Sequence, residues 1–173
     1  TRTIEIAAAF GVDRIALTNA WRVDKSYLSS PRLTPEALAA AVRLGAEQGA
    51  TTHLPPIAVH RRLMPLLDER WPASRMEPTA PAGGIKLIAH PSAPPIEDAV
   101  GSLEPITLAI GPEGGWIQRE VETFVARGFT AVSLGAAILR VEAAVAAGLA
   151  QLVLLRRLRA NLLGAIGDAI KDD

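Results

Sequence analysis

Residues 106–155 decide the fold, and they read ITLAIGPEGGWIQREVETFVARGFTAVSLGAAILRVEAAVAAGLAQLVLL. The segment Ile106–Ile110 is a mainly apolar run between turn residues, which is typical of a strand buried in a parallel sheet. Apolar residues at helical spacing predict an amphipathic helix over Ile117–Arg127. A second strand is predicted over Thr130–Leu134, followed by the longest helix, Val141–Leu158. Strands that alternate with helices in this way indicate an α/β fold with a parallel sheet.

The same alternation extends towards the amino terminus. Before residue 106 the sequence predicts helix Ile4–Phe10, strand Arg14–Thr18, a helix capped by Thr34 and Pro35 that ends near Gln48, strand Leu54–Val59, amphipathic helix Arg61–Arg70 and strand Lys86–Ala89. The stretch Pro72–Gly84 is rich in proline and glycine and is the best candidate for a mobile loop. We therefore expect one α/β domain over residues 1–173, with a parallel sheet and helices on both faces.

Composition excludes several classes of function. The 18 basic and 18 acidic residues cancel, whereas a free-standing nucleic-acid binder usually has a basic excess. The absence of cysteine excludes disulfides, thiolate zinc sites and cysteine nucleophiles, and it fits a cytoplasmic location. The histidines His53, His60 and His90 are too scattered to predict a metal site. The uncharged stretch Ala143–Leu155 is shorter than the roughly 20 residues of a membrane span, so we expect none.

Ligands usually bind to parallel α/β sheets where loops leave the carboxyl ends of the strands. The loop Gly111–Trp116 contains three glycines, which allow close backbone approach to a ligand, but a tight turn alone would also need them. It matches neither the dinucleotide fingerprint nor a P-loop. The loop Leu134–Arg140 contains Ile138 and Leu139, which form either a lid over the core or one wall of an apolar pocket. A lone histidine such as His90 after a strand is more often structural than catalytic.

Taken in order, these three loops resemble one known family. His90-Pro91, then Gly-Pro-Glu-Gly-Gly at 111–115, then Leu-Gly-x-x-Ile-Leu-Arg-Val-Glu at 134–142 are similar to the signature of the ribosomal RNA uracil-N3 methyltransferases (called RsmE) of the SPOUT superfamily. Upstream, Phe10-Gly11-Val12, the loop Trp21–Tyr27 and the pair Glu47-Gln48 are similar to further family segments. The resemblance extends over roughly residues 4–155, nearly the whole chain.

The resemblance implies a SPOUT-type fold whose C-terminal segment forms a trefoil knot, a homodimer, and S-adenosyl-L-methionine as the methyl donor. It implies 16S rRNA of the small ribosomal subunit as the substrate, with methylation at N3 of a uridine. No metal is implied, because methyl transfer from a sulfonium is an in-line displacement in which the enzyme chiefly positions the reactants. The cofactor contacts that we expect from the three loops are Leu87, His90, Pro91, Ile110, Gly111, Pro112, Glu113, Gly114, Gly115, Leu134, Gly135, Ile138, Leu139 and Arg140.

Loss of the N3 proton places negative charge on uracil, which a fixed guanidinium would stabilise. Arg22 is the first candidate for this cation and Arg140 the second, although Arg22 could be a plain surface arginine and Arg140 a helix-start ion pair with Glu142 or Glu113. Glu113 is interpreted as an acceptor of loop amides rather than as a base. Lys25 and Ser26 are candidates for contacts with RNA phosphate, together with Arg22 as substrate-binding residues.

The chain departs from the family pattern in ways that bear on function. Ala143 follows Glu142 where many members have threonine, and Gly49 follows Gln48 where many have arginine, so one RNA contact is in doubt. Family members also carry an N-terminal PUA-like RNA-binding barrel and a first strand, and we expect both to lie outside this sequence. Two alternatives to the uracil-N3 methyltransferase stay open: a non-enzymatic RNA-binding or ribosome-assembly module of this fold, and a SPOUT methyltransferase with another RNA target.

Overall fold

The computed structural model describes residues 1–73 and 84–169, apart from the side chains of residues 25, 28 and 166–169. Most of the predicted loop Pro72–Gly84 therefore lies outside the described residues. The helices and strands, in chain order, are α1 (Arg2–Ala9), β1 (Ile15–Thr18), α2 (Pro35–Gln48), β2 (Ile57–His60), α3 (Leu63–Arg70), β3 (Ile85–Ala89), β4 (Ile106–Ala109), α4 (Gln118–Val125), β5 (Thr130–Val132) and α5 (Val141–Ala169). Short 3-10 helices lie at Lys25–Ser29, Pro31–Leu33 and Ile96–Asp98.

The strands pair in parallel, as predicted, but they form two sheets rather than one. β1 pairs with β2, with Ile15 opposite Ile57, and the second sheet has the order β4-β3-β5. The expectation of a single sheet is therefore wrong. An apolar run indicates that a strand is buried, but it carries no information about which neighbour the strand pairs with.

Helices cover both faces of the three-stranded sheet, which confirms that part of the predicted architecture. Neighbouring residues of β3 point to opposite faces, as the two-residue period of a strand requires. Ile88 packs in a cluster with Leu67 of α3 and Phe124 of α4. Leu87 packs on the other side with Val132 of β5 and Leu152 of α5. The strand ends that carry the functional loops are thus held between two apolar layers.

A third cluster joins α1 and α2 to the two-stranded sheet. Leu38 and Val42 of α2 pack on Ile4 and Ala8 of α1, with residues of β1 and β2 beside them. α2 begins as predicted, since the Thr34 hydroxyl accepts a hydrogen bond from the Ala37 N–H at 3.3 Å. The backbones of the two helices approach so closely that a Cβ atom at Gly45 would lie 2.2 Å from a carbonyl oxygen of α1.

α5 is longer than predicted. The prediction ended it at Leu158, near three arginines, yet the helix continues to Ala169 because arginine is a good helix former and gives no stop signal. One side of α5 is buried, through residues such as Val145 and Leu152. Elsewhere along α5 large apolar residues are exposed: Val153, Leu154, Leu158, Leu162 and Leu163. Across the described ranges, no helix combines the length and apolarity that a membrane crossing requires.

Candidate active site

Three loops at the carboxyl ends of β3, β4 and β5 meet around one cavity of about 410 Å³. This is the edge at which ligands bind in parallel α/β folds. A fourth segment reaches the cavity from the loop after β1, through Arg22. The lining residues are Arg22, Ala89, His90, Pro91, Ser92, Ile110, Gly111, Pro112, Glu113, Gly114, Gly115, Trp116, Leu134, Gly135, Ala137, Ile138, Leu139, Val141 and Ala144.

Two of the predicted cofactor contacts, Leu87 and Arg140, do not line this cavity. Leu87 is 0% exposed in the core between β3 and α5, because it sits inside the strand and points at the helix rather than lying in the loop that follows. Arg140 is exposed just before α5 and is not among the lining residues. Its proposed ion pair is also absent, since the described residues contain a single salt bridge, Arg127 to Asp68. The other predicted contacts all line the cavity.

The glycine-rich loop after β4 folds back on itself in a turn. The Gly115 N–H donates to the Pro112 carbonyl at 2.8 Å, and Gly115 adopts a φ of +69°, a conformation that glycine alone adopts without strain. Gly114 is required for a different reason, because a Cβ atom there would lie 3.1 Å from Cβ and Cδ of Arg22. The glycines therefore do more than shape a turn: one of them makes room for a charged side chain from a distant loop.

Arg22 is fixed against this loop by its guanidinium. Its Nη1 donates to the Gly114 carbonyl oxygen. This partner is neutral, and Arg22 makes no ion pair with any residue that the structure describes. Arg22 thus lines the cavity without an ion-pair partner among the described residues, which favours a role towards an anionic or electron-rich ligand.

Glu120, at the start of α4, was missed by sequence reasoning. Its Oε2 accepts from the Ile117 N–H at 3.0 Å, and its Oε1 accepts from the Trp21 N–H at 2.8 Å. The first bond is the helix-capping half of a capping box, and a glutamate at the third helical position is its recognisable signal. The second bond ties the Arg22 loop to α4, and no local pattern signals it because the partners are far apart in sequence.

The loop after β5 forms the opposite wall. Gln151 of α5 donates from Nε2 to the Leu134 carbonyl at 2.8 Å, which explains the lone polar residue in that apolar helix segment. Ile138 is 88% exposed. The backbone N–H groups of residues 137–139 donate to no residue that the structure describes. This wall therefore offers both an apolar surface and free backbone donors.

An aromatic cluster of Trp116, Phe124 and Phe129 packs beneath the glycine-rich loop, on the core side of the cavity. Trp116 packs edge-on against Phe124 with ring centroids 5.1 Å apart, and Phe124 packs on Phe129 at 4.9 Å. Trp116 is 9% exposed, and its ring lies 3.1 Å from the place that a Cβ atom at Gly111 would occupy. Such packing holds the first residues of the loop in one position.

The remaining predicted residues have clear positions. His90 uses Nδ1 to accept from the Ser92 N–H at 3.3 Å, a turn-stabilising contact. Glu113 lines the cavity, but its expected hydrogen bonds to loop amides are absent among the described residues. Ser26 is exposed and does not line the cavity. The prediction for Lys25 concerns a side chain outside the described residues.

Asp24 shows a perturbed pKa in the Arg22 loop. It caps the short 3-10 helix Lys25–Ser29, and its Oδ1 accepts from the Ser26 N–H at 2.9 Å. This backbone hydrogen bond, with a smaller contribution from the Ser26 hydroxyl, lowers the pKa of the exposed Asp24 carboxyl. Within residues 1–73 and 84–169, no three histidine, cysteine or acidic side chains lie close enough together to hold a metal ion.

Solved structures share this fold. A probable rRNA-methyltransferase from Porphyromonas gingivalis superimposes with a TM-score of 0.71 over 90% of this chain and 61% of its own, at 22% identity. The ribosomal RNA small subunit methyltransferase E of Neisseria gonorrhoeae, solved bound to S-adenosyl methionine, gives a TM-score of 0.68 over 89% of this chain and 60% of its own, at 27% identity. The chain thus spans about three fifths of the length of these relatives.

Sequence comparison agrees with the structural one. The ribosomal RNA small subunit methyltransferase E of Synechocystis is 51% identical over 47 residues, which are 27% of this chain and 16% of that protein. The family profile of the RNA methyltransferase domain matches residues 1–153. On that match, which covers most of its length, the chain belongs to the RNA methyltransferase domain family.

Proposed function

We propose that this chain binds S-adenosyl-L-methionine in the cavity and transfers its methyl group to N3 of a uridine in 16S rRNA of the small ribosomal subunit. One observation carries the proposal: three loops with the expected motifs and the guanidinium of Arg22 converge on a single cavity. The structural relative from Neisseria gonorrhoeae, which carries the matching name and was solved with the cofactor, supports it.

The residues present fit the cofactor. The cavity volume of about 410 Å³ lies within the range of roughly 300–1,000 Å³ that small-molecule sites occupy. Leu134, Ile138 and Leu139 provide an apolar slot for the adenine ring. The free backbone N–H groups of residues 137–139 can read the edge of that ring. At Gly115, where a Cβ atom would meet nothing within 4 Å, the backbone is open enough for the rest of the molecule to approach.

When bound, S-adenosyl-L-methionine supplies an electrophilic methyl group on its sulfonium. The protein residues then have to hold the uracil in line and stabilise the charge that develops as N3 loses its proton. We assign the stabilising role to Arg22, whose guanidinium lies at the cavity and is held by the Gly114 carbonyl. Glu113 lines the same cavity without an ion-pair partner among the described residues, and we assign it as the acceptor of the N3 proton, in place of the amide-accepting role expected from the sequence.

The RNA-binding parts of the protein are assigned from the resemblance to the uracil-N3 methyltransferase family. We propose that a PUA-like barrel outside these 173 residues holds the ribosomal RNA, with Lys25 and Ser26 touching phosphate near the site. The C-terminal trefoil knot and the cytoplasmic location stay predictions of the same resemblance.

We also propose that the chain acts as a homodimer through α5. Leu154, one of the exposed apolar residues of α5, lines a second cavity of about 620 Å³ together with Leu155 and with Pro91 and Leu134 of the candidate active site. A second copy would cover this surface and close one side of the site. Size-exclusion chromatography with light scattering tests this proposal, and a monomer at micromolar concentration would contradict it.

Cofactor binding and activity are tested separately. Calorimetry with S-adenosyl-L-methionine is expected to give a 1:1 titration; a folded protein that binds none would favour the non-enzymatic assembly module. Methylation of isolated small ribosomal subunits is expected to yield N3-methyluridine. Mass spectrometry that found another methylated nucleoside would instead favour a methyltransferase with a different RNA target. The protein used should contain the whole length that its relatives have.

Arginine variants test the catalytic assignment. Arg22→Ala is expected to lower turnover by about 10²–10³-fold, the usual effect of removing one charge-stabilising donor, with little change in cofactor affinity. Arg140→Ala is expected to have a much smaller effect, because Arg140 does not line the cavity. Arg43→Ala, an exposed arginine of α2, is the control. Normal turnover in Arg22→Ala would remove Arg22 from the mechanism.

A further inference from the structure

Glu120 lies on α4 outside the cavity lining, and its two carboxylate oxygens accept hydrogen bonds from two different parts of the chain. Oε2 caps α4 through the Ile117 N–H, while Oε1 accepts from the Trp21 N–H at 2.8 Å. A helix cap needs only the first of these bonds. The second reaches a residue 99 positions earlier in the chain, directly before Arg22.

The loop around Arg22 has few other attachments close to the site. Trp21 is 79% exposed, so its side chain is not held by burial. Arg22 is itself exposed and is held by its bond to the Gly114 carbonyl. The backbone on one side of Arg22 is thus fixed by Glu120, and the tip of its side chain is fixed by the glycine-rich loop.

We propose that Glu120 is a positioning residue for methyl transfer, which acts by holding the backbone next to Arg22 so that the guanidinium faces the cavity. This inference rests on the proposed function, because it assigns Glu120 a role through Arg22. A carboxylate that accepts two N–H bonds is rigidly oriented, and charge-assisted bonds of this kind are the stronger ones. Preorganisation matters here because a misplacement of about 1 Å can cost roughly 10²-fold in rate.

The variant Glu120→Gln tests the role with little change in shape. A glutamine amide keeps one acceptor oxygen and replaces the other by an NH₂ donor, so it cannot satisfy both N–H groups. We expect turnover at saturating cofactor and RNA to fall by about 10- to 100-fold, with cofactor affinity unchanged. Glu122→Gln is the matched control, since the Glu122 carboxylate accepts only from Gln118 on the same helix, at 3.0 Å, among the described residues.

A double-mutant cycle with Arg22→Ala separates positioning from general destabilisation. If Glu120 acts through Arg22, the Glu120→Gln change has no further effect on turnover once Arg22 is gone. Equal fold-losses in both backgrounds would overturn the positioning role. Amide hydrogen exchange of the 173-residue chain provides a readout that does not depend on activity. Exchange at the Trp21 N–H is expected to rise at least tenfold in Glu120→Ala, which removes both acceptor oxygens, and to stay unchanged in Glu122→Ala.

The outcomes distinguish the inference from the proposed function. If the unsubstituted protein methylates no RNA, the proposed function fails and the positioning role fails with it, whatever the exchange shows. If it methylates RNA but Glu120→Gln is as active as the unsubstituted enzyme, only the positioning role fails. If exchange at Trp21 is unaffected by Glu120→Ala, the anchoring bond itself is refuted.

Discussion

Gly114 gives the sharpest test of whether the placement of Arg22 matters. In Gly114→Ala the added Cβ atom would lie 3.1 Å from both Cβ and Cδ of Arg22, tighter than ordinary van der Waals contact. The Arg22 side chain must therefore move by a few tenths of an ångström. Gly114 does not have a positive φ, so alanine is compatible with the backbone and the change acts on its neighbour rather than on the fold.

The expected size of the effect follows from that displacement. If about 1 Å of misplacement costs roughly 10²-fold, a shift of a few tenths of an ångström lowers the rate about threefold to tenfold. A tenfold loss corresponds to about 1.4 kcal/mol of transition-state stabilisation. Cofactor affinity should change little, because the nearest atoms to the new methyl group all belong to Arg22.

Single-turnover methyl transfer at saturating cofactor and ribosomal subunits measures the effect directly. Calorimetry gives the cofactor affinity, and thermal unfolding checks the fold. Gly101→Ala is the control, since a Cβ atom there meets nothing within 4 Å. A single-turnover rate equal to that of the unsubstituted enzyme would refute the reasoning that ties Arg22 to the chemistry. A loss confined to cofactor affinity would show instead that the methyl group intrudes on the ligand.

Three further predictions concern stability and titration. Gly45→Ala should lower the free energy of unfolding by about 1–3 kcal/mol or more, because its Cβ atom would lie 2.2 Å from a backbone oxygen of α1. Chemical denaturation measures this loss, and a loss no larger than that of Gly101→Ala would contradict the close packing of α1 and α2. Phe124→Leu should cost about 1–3 kcal/mol by removing two edge-on aromatic contacts, and an unchanged denaturation midpoint would count against the cluster. Asp24 should titrate below the usual range of an aspartate by NMR, since the Ser26 N–H lowers the pKa of its carboxyl. Its cap is then complete above the unfolded pKa and is lost as the pH falls through the folded pKa, and a pKa that is not lowered would refute the cap.

Local patterns were enough to predict the elements and the three loops. The apolar run of β4, the helical spacing in α4 and the glycines between them are each readable within a dozen residues. Because parallel strands place their carboxyl ends at one edge, the loops had to converge. What the sequence could not predict depends on distant partners: the pairing of strands into two sheets, the bond from Trp21 to Glu120, and the burial of Leu87 against α5.

The zero net charge argued against a nucleic-acid binder, but it is a sum over the whole chain. It gives no information about where the charged side chains lie. Arg127 is 8% exposed and is paired with Asp68, so its charge is neutralised within the fold. Arg22 lines the cavity and contacts a neutral carbonyl, while the nearby Glu120 is occupied by two backbone N–H groups. Because stabilising one developing anion requires only a guanidinium held at the reacting group, the overall charge of the chain says little about this chemistry. A basic surface is needed only where RNA phosphates are held, which need not be the same part of the protein.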